Sequence, residues 1–457
     1  MVKIGLEIHG YLKTKEKLFC SCNSTHGSKI SKPNTNICPI CTGQPGAKLM
    51  LPNKKAIRKG IQIALILGCK INPKVAWQRK HYSWPDLPKG YQNTISGSHV
   101  IPFCENGNFQ NIKITEAHLE EDPAAWNPKT GEIDYNKSGY PLIEIVTEPD
   151  FINSKQVIRW MKQLVETLTY MKIIDRTLGV KADVNVSIPE LKGERVEIKN
   201  INSLKNIERA IEYEISRQSK PGELAKKLET RMFDEISGKT MKMRDKELAE
   251  DYRFISEPDL PVLKVDKKEI DKEKKSLPER PQEKIKGIIK KHKIEKKHAE
   301  ILTTNLDLVE FFEQIIKKVE PKLASRWVTG ELLRVLNYSK KELHEVSIQT
   351  NHFIELLKLI ERKTITELKA KEILNEFIPK SFSPKEKAKS SKKISSKSEI
   401  KKIAKEVIRK NPKAAEDYKQ GKKESINFLI GQVMKISNKR ADFKVAKEII
   451  EKEINRD

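Results

Sequence analysis

Apolar and polar residues alternate with a period of two in several short stretches of the first 275 residues. In the run IGLEIHG, near the start of the chain, Ile4, Leu6 and Ile8 alternate with Glu7 and His9. Because successive side chains of a strand point to opposite faces, this run predicts a strand with one apolar and one polar face. The runs GYPLIEIVTE and ADVNVSI are short and rich in β-branched residues, so we predict strands there too.

A helical period interrupts these strands and then replaces them. The stretch SKQVIRWMKQLVETLTYM, starting at Ser154, predicts a helix within the first region. From about residue 276 onward, apolar residues recur with the spacing of one helix face. Two such stripes are Leu308, Phe311, Phe312, Ile315 and Val319, and Ile426, Leu429, Ile430, Val433 and Met434.

These periods predict an α+β protein with several domains, as its 457 residues also suggest. Residues 1–275 should form a domain with a largely antiparallel sheet, and residues 276–380 an all-helical domain. Residues 399–457 should form a small helical tail domain. The segment 381–398, SFSPKEKAKSSKKISSKS, is rich in Ser and Lys and nearly free of apolar residues, so we expect a flexible basic linker.

Charge narrows the class of partner. The chain has 89 Lys and Arg against 63 Asp and Glu, a formal net charge of +26. This favours a polyanionic partner, most commonly a nucleic acid, although a lysine-rich solvated surface is the alternative. No basic start followed by an apolar run is visible, and the longest apolar run, IQIALIL, is too short to span a membrane. We therefore expect a cytoplasmic protein without membrane contact.

Four of the six cysteines form two close pairs, in FCSC and CPIC. Four thiolates at such spacing match a tetrahedral zinc site formed by Cys20, Cys22, Cys38 and Cys41. A site closed by four sulfurs has no open position for a substrate, so its zinc would be structural. The clustering disfavours the alternative of four ordinary buried cysteines.

Acidic residues and histidines form a second candidate site. A carboxylate inside the apolar run YPLIEIVTEPD is costly to bury unless a partner compensates it. Oxygen ligands with one imidazole suit Mg²⁺, which often binds together with nucleotide phosphates. Each residue alone is also consistent with an ordinary polar group of an edge strand. The set comprises Glu7 and His9, then His118, Glu120, Glu121 and Asp122 in AHLEEDPAAW, and Glu144.

A third stretch, QRKHYSWPDLPKGYQ, interleaves basic with aromatic residues. Such residues together can bind phosphates and stack on bases, although a solvated turn is the alternative. Its Pro and Gly residues predict a loop over 78–92. No G-x-x-x-x-G-K-[ST] run occurs, so any use of ATP does not rely on a P-loop. The basic residues are Arg79, Lys80, His81 and Lys89, and the aromatic ones Tyr82, Trp84 and Tyr91.

Together these stretches resemble one family, the B subunits of the tRNA-dependent amidotransferases. Its members convert Glu-tRNA(Gln) to Gln-tRNA(Gln) and Asp-tRNA(Asn) to Asn-tRNA(Asn). The similar runs follow one another across the first 261 residues, and AAEDYKQGKKESINFLIGQVMKIS resembles the tail domain of the family. The runs are IGLEIHGYL, PNTNICPICTGQPGA, RKHYSWPDLPKGYQ, HLEED, SGYPLIEIVTEPD, RVEIKNINSLKNIERAIEYEISRQ, ETRMFDEISGKTMKMR and DYRFISEPDLP.

The resemblance implies a cradle-like N-terminal domain, a helical domain and a helical tail that contacts tRNA. It also implies a zinc site at the four cysteines, since some members of the family have one. Its further implications concern catalysis. They are a catalytic Mg²⁺ held by Glu7, His9, Glu121 and Glu144, and ATP phosphates near Arg79 and Lys80.

The implied activity is a ligase reaction in protein biosynthesis. ATP would phosphorylate the side-chain carboxylate of Glu or Asp carried by tRNA(Gln) or tRNA(Asn), and ammonia would then displace the phosphate. The ammonia would come from glutamine through an amidase (A) subunit, with a small C subunit completing a heterotrimer. A non-catalytic, zinc-stabilised tRNA-binding protein is the alternative, but such a protein has no use for the scattered Glu and His set.

Overall fold

The computed structural model describes residues 1–24, 32–97, 100–175, 178–245, 253–389, 394 and 396–455. The chain divides into two compact units, Met1–Arg280 and Pro281–Asp457. In the part of the chain that is described, none of the helices has the length and apolar character needed to cross a membrane.

The first unit contains the β-strands. They are β1 (Lys3–Tyr11), β2 (Lys70–Ile71), β3 (Lys74–Val75), β4 (Gln78–His81), β5 (Gln92–Thr94), β6 (Cys104–Phe109), β7 (Ile112–Glu121), β8 (Ala125–Trp126), β9 (Ile133–Asp134), β10 (Pro141–Thr147), β11 (Val180–Ser187), β12 (Val196–Ile201), β13 (Glu229–Asp234), β14 (Lys239–Asp245), β15 (Arg253–Ser256) and β16 (Leu263–Lys264).

Most of these strands join one 12-stranded sheet. The order along its main path is β14-β13-β12-β11-β1-β10-β7-β5-β4-β15, and β6 pairs with β7 and with β2. All neighbours are antiparallel except β12 and β13, which run parallel. The prediction of a largely antiparallel sheet is therefore confirmed. The first strand of the chain lies at the centre of the sheet, between β10 and β11.

The first unit also contains the helices α1 (Lys54–Leu67), α2 (Ser154–Tyr170), α3 (Leu204–Gln218) and α4 (Lys267–Ser276). Helices α1 and α3 pack against strands of the sheet, α2 packs against α3, and α4 packs against α1. The side chains of Asn53, Asn153 and Ser203 accept hydrogen bonds from first-turn N–H groups and so start α1, α2 and α3. The apolar stripe of α1, including Ile57 and Ile61, is buried.

The described residues of the second unit form helices joined by short connections, and an isolated parallel β-bridge pairs Ser347 with Lys380. Its helices are α5 (Pro281–His292), α6 (Lys296–Leu302), α7 (Leu306–Ile315), α8 (Pro321–Arg326), α9 (Leu333–Tyr338), α10 (Thr350–Glu361), α11 (Glu367–Asn375), α12 (Lys385–Lys389), α13 (Lys397–Lys410), α14 (Pro412–Lys419), α15 (Ser425–Ile436) and α16 (Phe443–Ile454). A π-helical turn, Trp327–Leu332, connects α8 with α9. The last four helices share their own buried core, which includes Leu429, Val433 and Ile450.

The elements with the clearest periodicity agree with the sequence analysis. IGLEIHG lies in β1, PLIEIVT forms β10, and the predicted helix at Ser154 is α2. Both helical stripes are buried, in α7 and α15, but Val319 lies beyond the end of α7. The chain turns there because Pro321, which has no N–H, starts the next helix.

The prediction of a loop over 78–92 is wrong at both ends. Residues Gln78–His81 form β4, which pairs with β5 on one side and with β15 on the other. Strand pairing satisfies the backbone groups of this polar run, although its side chains have no apolar alternation. The loop is limited to residues 82–91, which contain the Pro and Gly residues.

The expected linker is only partly described, because residues 390–393 and 395 lie outside the described residues. Its described part includes the helix α12. The sequence analysis did not predict this helix, because the segment has almost no apolar residues. Phe382 contacts Phe377 with ring centroids 5.4 Å apart, and Ile394 is buried in the core of the last four helices. The division of the second unit into a helical domain, a flexible linker and a tail stays a prediction.

Candidate functional site

One face of the central strands is polar. His9 lies opposite Glu144 on β10, and Glu144 lies opposite His118 on β7. Residues that are directly opposite on neighbouring strands share a face, so the polar side chains of these strands form one continuous surface. Its members are Lys80 on β4, Gln92 and Thr94 on β5, His118 and Glu120 on β7, Glu144 on β10, Glu7 and His9 on β1, Lys181, Asp183 and Asn185 on β11, and Glu197 and Lys199 on β12.

Three of these residues form a group that we call the first acidic group: His9, Glu120 and Glu144. One ligand atom of each lies within 4.8 Å of the others. Glu120 and Glu144 are buried and His9 is half-buried. Glu120 Oε2 accepts a hydrogen bond from Gln92 Nε2 at 3.2 Å, whereas the buried Glu120 Oε1 accepts none from the described residues. A buried carboxylate oxygen without a donor suits a cation.

His118 stabilises the charge of this group. Its Nε2 lies 3.2 Å from Glu144 Oε2 and 3.5 Å from Glu120 Oε1. Burial disfavours the imidazolium, but Glu144 and the neighbouring carboxylates outweigh burial and raise the pKa of His118 well above its usual value. Burial would likewise raise the pKa of Glu144, but the charges of His118 and His9 hold that pKa well below its usual range.

Three further carboxylates form the second acidic group: Glu7, Asp183 and Glu197. Their ligand atoms also lie within 4.8 Å of one another. Here Lys199 already supplies a cation, because its Nζ lies 2.7 Å from Asp183 Oδ2 and 2.5 Å from Glu197 Oε1. Glu7 accepts a hydrogen bond from Asn185 Nδ2 at 3.0 Å. Burial, followed by the charge of Glu144, raises the pKa of Glu7.

The structure does not bring the four expected magnesium ligands into one group. His9 and Glu144 are together, and Glu7 is their neighbour in the second acidic group. Glu121, however, forms an ion pair with Lys89 and accepts the Asn93 N–H at 3.0 Å. Because it follows Glu120 in β7, its side chain leaves the strand on the other face. Glu120, whose side chain alternates with that of Glu121 along β7, lies beside His9 and Glu144 instead, and the ligand set of the metal stays a prediction.

The two expected phosphate-binding residues also separate. Arg79 donates to both carboxylate oxygens of Glu257, from Nε at 2.8 Å and from Nη2 at 2.7 Å. Its guanidinium lies 4.5 Å from the centre of the Tyr91 ring, so Arg79 is already engaged. Lys80 lies on the polar face, where its charge helps to lower the pKa of Glu120 against the opposing effect of burial.

The four cysteines of the two close pairs come together as the spacing predicts. Their sulfur atoms lie within 4.8 Å of one another, and the sulfurs of Cys38 and Cys41 are 3.8 Å apart. Four sulfurs bound to one zinc at 2.3 Å are about 3.8 Å apart, so the donor set fits zinc. The buried Lys17 donates to Cys41 Sγ at 3.4 Å, and this contact had no signal in the sequence.

Comparisons with known proteins agree with this arrangement. A family model described as the GatB/GatE catalytic domain matches residues 2–271, and another described as the GatB domain matches residues 310–454. The B subunit of the aspartyl/glutamyl-tRNA(Asn/Gln) amidotransferase of Methanocaldococcus jannaschii is 40% identical, over 100% of this chain and 98% of the relative. The proteins of the same name from Methanothermobacter thermautotrophicus (40%; 99% of this chain, 100% of the relative) and Methanopyrus kandleri (39%; 100% and 99%) are similar.

Proposed function

The chain belongs to the family of aspartyl/glutamyl-tRNA(Asn/Gln) amidotransferase B subunits, and from this premise we propose that it activates the side-chain carboxylate of Glu or Asp attached to tRNA. A carboxylate resists attack by ammonia because oxide is a very poor leaving group. Attack of a carboxylate oxygen on the γ-phosphorus of ATP releases ADP and forms an acyl phosphate. Ammonia then attacks the carbonyl carbon, and inorganic phosphate leaves as the amide forms.

The observation that carries this proposal is the first acidic group. His9, Glu120 and Glu144 would hold a Mg²⁺ ion, and the Glu120 oxygen without a donor supports this fit. When bound, the ion would neutralise charge on the transferred phosphoryl group. His118 keeps Glu144 ionised and orients its carboxylate through their 3.2 Å contact. Lys80 adds a positive charge on the side of Glu120.

We propose that Glu7 supports this site from the second acidic group, whereas Glu121 does not bind the ion. The hydrogen bond from Asn185 to Glu7 and the neighbouring charge of Lys199 fix the position of Glu7 beside Glu144. The ion pair of Glu121 with Lys89 engages its carboxylate elsewhere. This assignment replaces the ligand set that the resemblance implied with His9, Glu120 and Glu144.

We further propose that Cys20, Cys22, Cys38 and Cys41 hold one structural zinc ion. The fit of their sulfurs to a tetrahedral site supports this. Ser138 Oγ donates to the carbonyl of Cys41 at 2.7 Å, shortly before β10 begins. The zinc site would therefore stabilise the chain that leads into the strand of Glu144.

The remaining partners follow from the reaction. An amidase subunit would supply ammonia from glutamine, and a small C subunit would complete the heterotrimer.

We propose that residues 399–457 bind the body of the tRNA, because this segment is rich in Lys and Arg. Its buried core allows it to act as a unit. Deletion of this segment should weaken tRNA binding and reduce its dependence on salt.

The decisive experiment uses the complex reconstituted with the amidase and C subunits. ADP formation is measured with Glu-tRNA(Gln) and with Asp-tRNA(Asn), which also decides the substrate. Glu144→Gln keeps the shape but removes a charge, so ADP formation should fall by about 10² or more. Glutamine hydrolysis without tRNA should continue at the wild-type rate. Normal ADP formation by a folded variant would contradict the proposal.

A non-catalytic tRNA-binding role is not favoured, because the relatives are named as amidotransferase subunits.

A further inference from the structure

A buried lysine lies beside the four cysteines. Lys17 is only 1% exposed, although lysine is rarely buried unless it is paired. Among the described residues its Nζ forms no ion pair with Asp or Glu, and it donates to the Asn36 carbonyl at 3.1 Å, to Cys41 Sγ at 3.4 Å and to the Tyr135 carbonyl at 3.5 Å. A buried ammonium group needs a negative partner, and of these three atoms the sulfur is the one that can carry a full charge.

The backbone fixes Lys17 in this position. Its own N–H donates to the Cys22 carbonyl at 2.9 Å, and the N–H of Leu18 donates to the Gly139 carbonyl at 2.8 Å. The Nζ lies 5.7 Å from the centre of the Tyr140 ring. The chain at Lys17 is therefore held between the first pair of cysteines and the residues just before β10.

The Cys41 sulfur accepts hydrogen bonds from two donors. Besides the Nζ of Lys17, the N–H of Cys38 donates to it at 3.2 Å. Hydrogen bonds to an ionised acceptor are stronger than those between neutral groups, so both contacts suit a thiolate. A Zn²⁺ ion with four thiolates is doubly negative overall, and such a charge is costly in a partly buried position unless a cation compensates it. Lys17 supplies a positive charge in direct contact with this group.

We propose that Lys17 belongs to the zinc site, where it compensates the negative charge of the four zinc-bound thiolates and connects the site with the chain before β10. The inference rests on the proposed zinc site and deepens it, because it adds a residue that does not bind the ion itself. The connection runs from Cys41 through the Nζ to the carbonyl of Tyr135. Residues that support metal ligands in this way contribute to metal affinity.

The first test measures the zinc affinity of the full-length chain by competition with a chromophoric chelator. Lys17→Met keeps the unbranched side chain but removes the charge, so the Kd for Zn²⁺ should rise by about tenfold or more. Lys15→Met makes the same change at an exposed lysine two residues earlier and should leave the Kd unchanged. An unchanged Kd for folded Lys17→Met would overturn the inference.

The second test determines whether zinc and Lys17 stabilise each other. The melting temperature of the wild type and of Lys17→Met is measured with saturating zinc and after a chelator has removed the ion. Because the charge of Lys17 acts on the zinc-bound thiolates, zinc should raise the melting temperature less in the variant than in the wild type. An equal rise would show that Lys17 only fills space and would overturn the inference. If Lys17→Met does not fold, Lys17→Gln, which is polar but uncharged, replaces it in both tests.

The third test is the absorption spectrum of the chain loaded with Co²⁺ in place of zinc. A thiolate that loses a charged donor gives electron density to the metal more easily, so the sulfur-to-metal charge-transfer band should shift to longer wavelength in Lys17→Met but not in Lys15→Met. An unchanged band in Lys17→Met would contradict the role of its contact with Cys41. A wild-type chain that binds no zinc would end the zinc proposal itself, whereas zinc binding of wild-type strength by Lys17→Met would end this inference alone.

Discussion

The two acidic groups of the polar face both contain carboxylates compensated by a cation, but the cation is His118 in the first group and Lys199 in the second. Each brings three potential metal ligands within 4.8 Å of one another, on the same face of one sheet. In the second group, Lys199 lies between Asp183 and Glu197 and provides the compensating charge. In the first group, His118 provides the compensating charge, with its Nε2 3.5 Å from Glu120 Oε1, and this oxygen accepts no hydrogen bond from the described residues.

The comparison teaches that proximity of acids does not identify a cation site. Lys199 lies two residues after Glu197 on β12, so both side chains point to the same face. Its pairing with Asp183 and Glu197 makes the second acidic group a structural ion-pair network. The cation of the other group is a histidine, which shares its charge among Glu116, Glu120 and Glu144. The first group therefore combines buried carboxylates and imidazole with one oxygen, Glu120 Oε1, that accepts no hydrogen bond from the described residues. Substitutions in the two groups should affect tRNA-dependent ADP formation to very different extents.

The largest effect is expected for Glu120→Gln. Loss of its charge should lower ADP formation by about 10²–10³-fold, as expected when an electrostatic contact to the transition state is removed. Glu121→Gln is the matched control, because it makes the same chemical change at the next residue. A stopped-time assay of ADP with both variants measures the contrast. A larger loss for Glu121→Gln would return the metal ligand to the position expected from the sequence.

Glu7→Gln should have an intermediate effect. Glu7 lies beside Glu144 but receives a hydrogen bond from Asn185, so its removal should lower ADP formation by about tenfold. The apparent Kd for Mg²⁺, measured from the metal dependence of the rate, should rise by a similar factor. A loss as large as that of Glu120→Gln would show that the two groups act as one site and would remove the distinction between them.

Lys199→Met should affect stability more than turnover. It leaves Asp183 and Glu197 without their cation, and the free energy of unfolding should fall by about 2–3 kcal/mol, below the 3–5 kcal/mol typical of a fully buried pair. The smaller value reflects the 26% exposure of the Lys199 side chain. ADP formation per folded molecule should change only a few-fold. In chemical denaturation, Asp183→Asn added to Lys199→Met should recover part of the stability, and a further loss would contradict the structural role of the ion pairs.

The smallest effect on turnover is expected for the cysteine group. Cys38→Ser should lower the zinc content, which we expect to be about one ion per chain in the wild type. The melting temperature should fall, while the folded fraction should form ADP at close to the wild-type rate. Cys69→Ser, outside the group, should change neither property. A zinc-free wild-type protein with an unchanged melting temperature would exclude the structural zinc.

Much of this molecule could be predicted from local patterns. The alternation in IGLEIHG and ADVNVSI determines which side of each strand is apolar, since the side-chain period of a strand is two. The stripe from Ile426 to Met434 determines α15 in the same way. The spacing of FCSC and CPIC brought four sulfurs together because short loops restrict their separation. The order of similar runs along the chain predicted the family, which the comparisons confirm.

Other features depended on pairing between distant parts of the chain. No local pattern reveals that Glu144 lies opposite both His9 and His118, since strand order and register are set by the whole sheet. The sequence by itself determined which residue types the polar face would carry and that Glu120 and Glu121 point to opposite faces. Only the tertiary structure decided that Lys199 neutralises one acidic group while Glu120, His9 and Glu144 form the other, because charge compensation depends on neighbours across strands.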